Sequence, residues 1–200
     1  MSTSKALRGF QPARMRGSGA NSTGFEEIPI ASGLAKNIFT GDTVKATLGN
    51  CEPVTVGGTS LGDAPIVVGV FQGCHYVQDG QPKWSKYWPT GTSATNATAM
   101  VNTDPTATYY IQADASVSAG DINQSFFGLT VGAGSTVTGQ SGFGIKAATR
   151  LATQAIDVYP VAVKDEPGND ITVATERAFP VLEVRLAHHK AMLAPSVTLA

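Results

Sequence analysis

Residues 65–92 constrain the fold more than any other stretch of this chain. They read Pro-Ile-Val-Val-Gly-Val-Phe-Gln-Gly-Cys-His-Tyr-Val-Gln-Asp-Gly-Gln-Pro-Lys-Trp-Ser-Lys-Tyr-Trp-Pro-Thr-Gly-Thr. An unbroken apolar run, residues 66–71, enters the stretch. Both tryptophans of the chain, Trp84 and Trp88, leave it, with Tyr87 beside the second. Between them stands Asp79-Gly80, a pair that tolerates the positive φ angles of a two-residue hairpin turn. The expectation is a central hairpin of an all-β domain, with the largest side chains packed at its far end.

The flanking pattern agrees. Residues 43–48 alternate with period two, which predicts a strand with Val44, Ala46 and Leu48 on one face and a return strand over 52–56. Residues 107–113 are aromatic and β-branched, a strong strand signal. Residues 99–103, 125–131 and 154–163 read as further strands. Across 175–189 the alternation places Leu182, Val184 and Leu186 inward and Glu183 and Arg185 outward. Asp104-Pro105 starts a turn, and a helical turn is expected near residues 119–123 and within 31–39. Residues 91–98 read as a polar loop, and the Gly-Ser-Thr-rich segment 132–144 as a long exposed one. Helix-length periodicity is nearly absent. Charged residues make up only 14% of the chain, which suits short strands and many turns. The fold expected is a single antiparallel sandwich or barrel-like domain over residues 25–189. An extended basic arm, 1–24, precedes it and a C-terminal tail, 190–200, follows it.

The arm carries Lys5, Arg8, Arg14 and Arg16 and no acid. The remainder holds ten basic against fifteen acidic residues. Such a segment is too poor in apolar residues to fold alone. It reads as a tail or as an arm lying across an acidic neighbour, with Arg8, Phe10, Arg14 and Arg16 as contact residues. The net charge of −1 gives no reason to expect a nucleic-acid partner. Four basic residues without interleaved aromatics are a weak signal for one. No apolar run is long enough for a membrane span, and no apolar segment of a signal peptide follows the first basic residues. Cys51 and Cys74 are expected as free buried thiols rather than a bridge.

Catalytic motifs are missing. Gly-Gln-Ser-Gly at 139–142 lacks the strand-to-helix context of a nucleophile elbow, and Gly-Ala-Gly-Ser at 132–135 lacks a phosphate-holding lysine. Cys74 and His75 point to opposite sides of a strand and cannot act together there. His188 and His189 likewise diverge, and a zinc site needs further ligands. The acids Asp114, Asp121, Asp165, Glu166 and Asp170 lack the spacing of a calcium loop and read as surface charge. Trp84, Tyr87 and Trp88 suit either a sugar platform or a hairpin end packed into a core or interface. No metal or other cofactor is expected.

An ordered series of segments resembles a family of small virion proteins of tailed bacteriophages, encoded near the major capsid protein and taken as head decoration or cement proteins. The series is Ile-Ala-Ser-Gly at 30–33, Asn-Ile-Phe-Thr-Gly-Asp at 37–42, and Gly-Val-Phe-Gln-Gly-Cys-His-Tyr at 69–76. It continues with Tyr-Trp-Pro-Thr-Gly-Thr at 87–92, Asp104-Pro105, Ile-Gln-Ala-Asp at 111–114, and 135–141. The resemblance covers residues 28–189 and leaves both tails outside. It implies a non-enzymatic protein, synthesised in the host cytoplasm, that binds the outer capsid surface and stabilises it against internal DNA pressure. The implied partners are the major capsid protein and further copies of this chain. The family offers no residue-level active site to carry over. A carbohydrate-binding virion module meeting host glycans is the alternative. A hydrolase with an unrecognised site is a third reading, which the missing motifs disfavour.

Overall fold

The computed structural model describes residues 4–15, 24–55, 57–58, 65–153, 156–173 and 178–192. In these segments the chain is an antiparallel, sandwich-like all-β domain without a closed barrel. In chain order the strands are β1 (Gln11–Met15), β2 (Phe25–Pro29), β3 (Ile38–Phe39), β4 (Thr43–Thr47), β5 (Asn50–Pro53), β6 (Gly69–Gln78) and β7 (Gln81–Ser85). There follow β8 (Tyr87–Trp88), β9 (Thr95–Asn102), β10 (Ala107–Gln112), β11 (Phe126–Thr130), β12 (Gly144–Leu151), β13 (Val158–Val163) and β14 (Val181–Leu186). The first sheet runs β1-β10-β14-β13-β11-β12. The second runs β2-β9-β6-β4-β5, with β7 also on β6, and β3-β8 forms a separate ribbon. An isolated bridge from Ala113 to Ile145 brings β12 back toward the end of β10, so the first sheet curls.

The hairpin expected at the centre is there. β6 and β7 pair from Cys74↔Ser85 to Gln78↔Gln81. Asp79 and Gly80 join them at φ 54° and 74°, the signature of a type I′ turn whose twist matches the strands. β6 also pairs with β9 and, at its start, with β4, so it is the spine of the second sheet. The tryptophans part company. Trp88 is fully buried, whereas Trp84 is 72% exposed, against the expectation that both pack together. The chain leaves the second sheet at Ser85 and re-forms as β8 beside β3, so the two rings face different surroundings.

Two apolar clusters hold the domain. One lines the inner face of the first sheet and includes Phe10, Tyr109, Ile111, Phe127, Ile145, Leu182 and Val184, with Val54, Val67 and Val70 contributed from the β5 and β6 side. The other lies under the second sheet, with Ile38, Val44, Cys51, Phe71, Cys74, Tyr76 and Trp88. Tyr76 and Trp88 meet edge to face at 5.2 Å, a favoured aromatic geometry.

A four-residue turn, 39–42, fastens four parts of the chain. The Gly41 carbonyl accepts the Phe10 N–H at 3.0 Å, and the Gly41 N–H donates to the Phe71 carbonyl at 2.9 Å. Thr40 exchanges backbone bonds with Gly139 and Ser141, each at 3.0 Å. β3 adds the link to β8. Gly41 sits at φ 93°, and a side chain there would press on the Phe10 backbone, so the turn requires glycine.

Several local expectations are corrected. Residues 31–39 form turns and β3, with no helical turn. Leu48 is 98% exposed at the β4–β5 turn and Ala46 is exposed, because β4 leaves the body after Val44. β9 begins at Thr95, inside the expected loop. The glycine-rich segment before β12 is exposed over residues 135–138, as expected, but is packed at its ends: a Cβ on Gly134 would lie 2.2 Å from the Phe39 ring. Its glycines serve close approach as well as turning. The helical turn expected near 119–123 is present, as a 3₁₀ turn over Ala119–Asp121. Part of the expected 154–163 strand, part of 175–189 and most of the C-terminal tail lie outside the described residues.

Candidate interaction site

The four arm residues meet different fates. Phe10 is 1% exposed and packs edge to face on Tyr109 at 5.7 Å, inside this chain's own core. It is therefore not an anchor for a neighbour. Burying such a ring contributes about 1.5–3 kcal/mol, which a locally polar segment gains only by lying on a preformed sheet. Arg14 stands on β1, which pairs antiparallel with β10. Its guanidinium holds Glu183 through two parallel bonds, Nε to Oε1 at 2.8 Å and Nη2 to Oε2 at 2.7 Å. This fork-on-fork geometry is specific to arginine. It also explains why Glu183, expected outward and solvated, is buried. Arg8 is exposed and makes no side-chain hydrogen bond among the described residues. It borders a groove whose lining includes Gln11, Tyr110, Lys164 and the acid Glu166. Arg16 lies outside the described residues.

The chemistry-bearing residues elsewhere are committed to neighbouring segments. Cys74 is buried while His75 lies on the opposite face, as strand geometry requires. Cys51 and Cys74 are free, buried thiols, and burial pushes each up to about 12. At neutral pH both stay protonated and poorly nucleophilic. The two adjacent histidines act as braces. His188 Nδ1 lies 3.2 Å from the Pro65 carbonyl, and His189 Nε2 lies 2.8 Å from that of Val68. His189 Nδ1 accepts the Ala191 N–H at 3.1 Å, so the ring is a neutral Nε2–H tautomer. Burial lowers its pKa, in keeping with that form.

Four of the five candidate calcium acids are similarly engaged, and the fifth, Asp165, is exposed. Asp114 accepts from Thr130 and Ala147, Asp121 from Ser125 and Arg150, and Asp170 from Thr172, while Glu166 pairs with Lys164. Among the described residues no group of three or more His, Cys, Asp or Glu side chains is placed to hold a metal ion. Nor is any helix among them long and apolar enough to cross a membrane.

Asp42 is the titratable group that sequence reading missed as more than a turn residue. It is 3% exposed and is one of the residues lining a cleft of about 340 Å³, with Lys36, Phe39, Val54 and Phe143. Oδ2 accepts the Phe39 N–H at 2.8 Å, while Oδ1 is buried without a hydrogen-bond partner of good geometry. Burial pushes the carboxyl up to about 6, against the opposing pull of the Ser141 hydroxyl and the Phe39 N–H. Among the described residues no second acid lines this cleft, so the pair of carboxyls needed to divide acid and base roles is not assembled there.

The most exposed aromatic among the described residues is Trp84, whose ring tilts over His75 at a centroid distance of 4.8 Å. Tyr87 instead stacks on Phe39 at 5.5 Å. Of the three aromatics at the end of the central hairpin, Trp84 is the one presented as an open ring face. Comparison with family models, curated proteins and solved structures finds no match. The class defined by the fold is therefore that of an antiparallel, sandwich-like β domain.

Proposed function

We propose that this chain is a non-enzymatic virion structural protein that decorates the outside of a tailed-bacteriophage head. It binds the major capsid protein there and stabilises the shell against the pressure of packaged DNA. The observation that carries this reading is mechanical. Both ends of the described chain are stitched into the β body: the N-terminal segment by Phe10 and the Arg14–Glu183 pair, the C-terminal segment by His188 and His189. A cement protein has to carry lateral load from one contact to another. A body whose end segments are held by buried rings and charge-assisted bonds is suited to that, since such packing deforms little. Among the described residues of the four, exposed Arg8 is the one left for an acidic neighbour.

The test is the protein composition of purified virions, followed by location of the chain on the particle. Many copies on the outer surface at a fixed lattice position support the reading. Absence from intact particles overturns it.

The alternative, a carbohydrate-binding virion module, has one observation in its favour: Trp84 offers an open ring face to solvent, and such a ring is an amphipathic platform. A glycan array without binding above background removes this alternative.

A further inference from the structure

The outward face of the second sheet holds both large aromatic side chains that the described residues leave widely exposed, Trp84 at 72% and Phe25 at 50%. Strand registers put its side chains in rows. One row crosses four strands as Trp84 on β7, His75 on β6, Thr98 on β9 and Pro29 on β2. The next contains Met100, whose methyl lies 3.3 Å from where a Cβ on Gly73 would sit. Phe25 follows on β2, opposite Asn102. The other face of the same strands is already filled by Cys74, Tyr76, Ala99 and Val101. An antiparallel sheet with one solvated face alternates apolar-in with polar-out. Here tryptophan, methionine, phenylalanine and proline occupy outward positions as well.

We propose that this face is a self-association surface, on which two copies of the chain pack sheet against sheet about a twofold axis parallel to the strands. Area and complementarity favour a second copy. Four strands at ~4.8 Å spacing and a few side-chain rows give a face on the order of 500 Å² per copy. Two such faces together come to about 1,000 Å², the lower bound for a specific interface and the size of a reversible one. The twofold axis lies between β6 and β9. It sets Trp84 over the partner's Pro29 and His75 over the partner's Thr98, so a large flat ring meets a small apolar one and no charge enters the row. Glu27, which neighbours Met100 across β2 and β9, lies toward the β2 edge. The two copies of Glu27 therefore fall at opposite sides of the interface and do not oppose each other. Aligned packing of this kind spaces sheets about 10 Å apart. The inference deepens the expectation of further copies as partners by naming the face they share, and it can fail while the capsid reading stands.

The experiment is sedimentation velocity on the full chain from about 1 to 200 μM, with tryptophan emission recorded across the same series. The expected result is a reversible monomer–dimer equilibrium, with Trp84 emission moving to shorter wavelength as dimer forms. Met100→Lys and, separately, Trp84→Ser should each weaken the dimer at least tenfold. Trp84→Ser guards against loss of folding, because the replaced ring is mostly in solvent. A chain that stays monomeric throughout overturns the proposal. So does a dimer that both variants leave at full strength, or one that forms without changing Trp84 emission. A monomeric chain whose Trp84 emission responds to a glycan also overturns it and transfers the face to the sugar reading.

Discussion

Arg14 on β1 reaches past β10 to hold Glu183 on β14 by two charge-assisted bonds, at 2.8 and 2.7 Å. The pair joins the first strand of the described residues to the last. The arginine is 57% exposed and the glutamate 3%, so the two partners are not equivalent. Removing the cation weakens the hold on a carboxylate that cannot readily return to water. Arg14→Ala should lower the urea midpoint and loosen β1, read as faster hydrogen exchange at residues 11–15. Arg14→Lys should restore only part of the loss, because an ammonium lacks the two-pronged fit.

Phe10→Ala should destabilise the domain by about 3–5 kcal/mol in urea or thermal unfolding, the cost of emptying a core site of that size. The same ring replaced on an arm that merely touched a neighbour would leave the isolated chain's stability unchanged. Removal of the whole N-terminal segment therefore conflates folding with binding.

Asp42 gives a pH signature with a definite sign. Its folded-state pKa is raised to about 6, so folding favours the protonated form. The associated stability is present at pH 4 and below and is lost as pH rises through 6. A rise of that size corresponds to about 3 kcal/mol. Asp42→Asn keeps an acceptor for the Phe39 N–H and adds a donor toward Ser141. The variant should gain on the wild-type protein across pH 4–6 and hold a constant advantage above that range. Urea titrations at four pH values test this. A difference between the two proteins that does not change with pH contradicts it.

Cys51 and Cys74 should react with a thiol reagent only on unfolding, since each is fully buried and burial pushes each pKa up to about 12. Labelling in native buffer should be slower by orders of magnitude than in urea. Rapid modification of either thiol in the folded protein would place it in a different environment.

What the sequence revealed was local. Asp79-Gly80 carries its own turn geometry, the aromatic and β-branched content of 107–113 marks its strand, and the 182–186 alternation gives the inward facing of Leu182, Val184 and Leu186. What it concealed depends on distant partners. Glu183 looks like an outward residue until Arg14, 169 positions away, covers it. β1 contains Pro12 and little apolar surface, so it becomes a strand by adding to β10. The glycines of 132–144 read as loop chemistry, and only the Phe39 ring beside Gly134 shows that space was the constraint. Trp84 and Trp88 separate because the chain changes sheets between them, which no periodicity records. The Asp42 site was legible as a turn. Its raised pKa arises from burial, against the hydrogen bonds of Phe39 and Ser141.

On the decoration reading, the most direct test adds the purified chain to expanded phage heads that lack it and measures bound protein after sedimentation. The account predicts saturable binding at a fixed number of copies per lattice repeat and heads that withstand higher temperature once occupied. Arg8→Glu should bind at least tenfold more weakly while unfolding at the same urea concentration as the unmodified chain. Heads that take up no saturable protein at concentrations up to about 100 μM, or that bind it without gaining stability, would contradict the account.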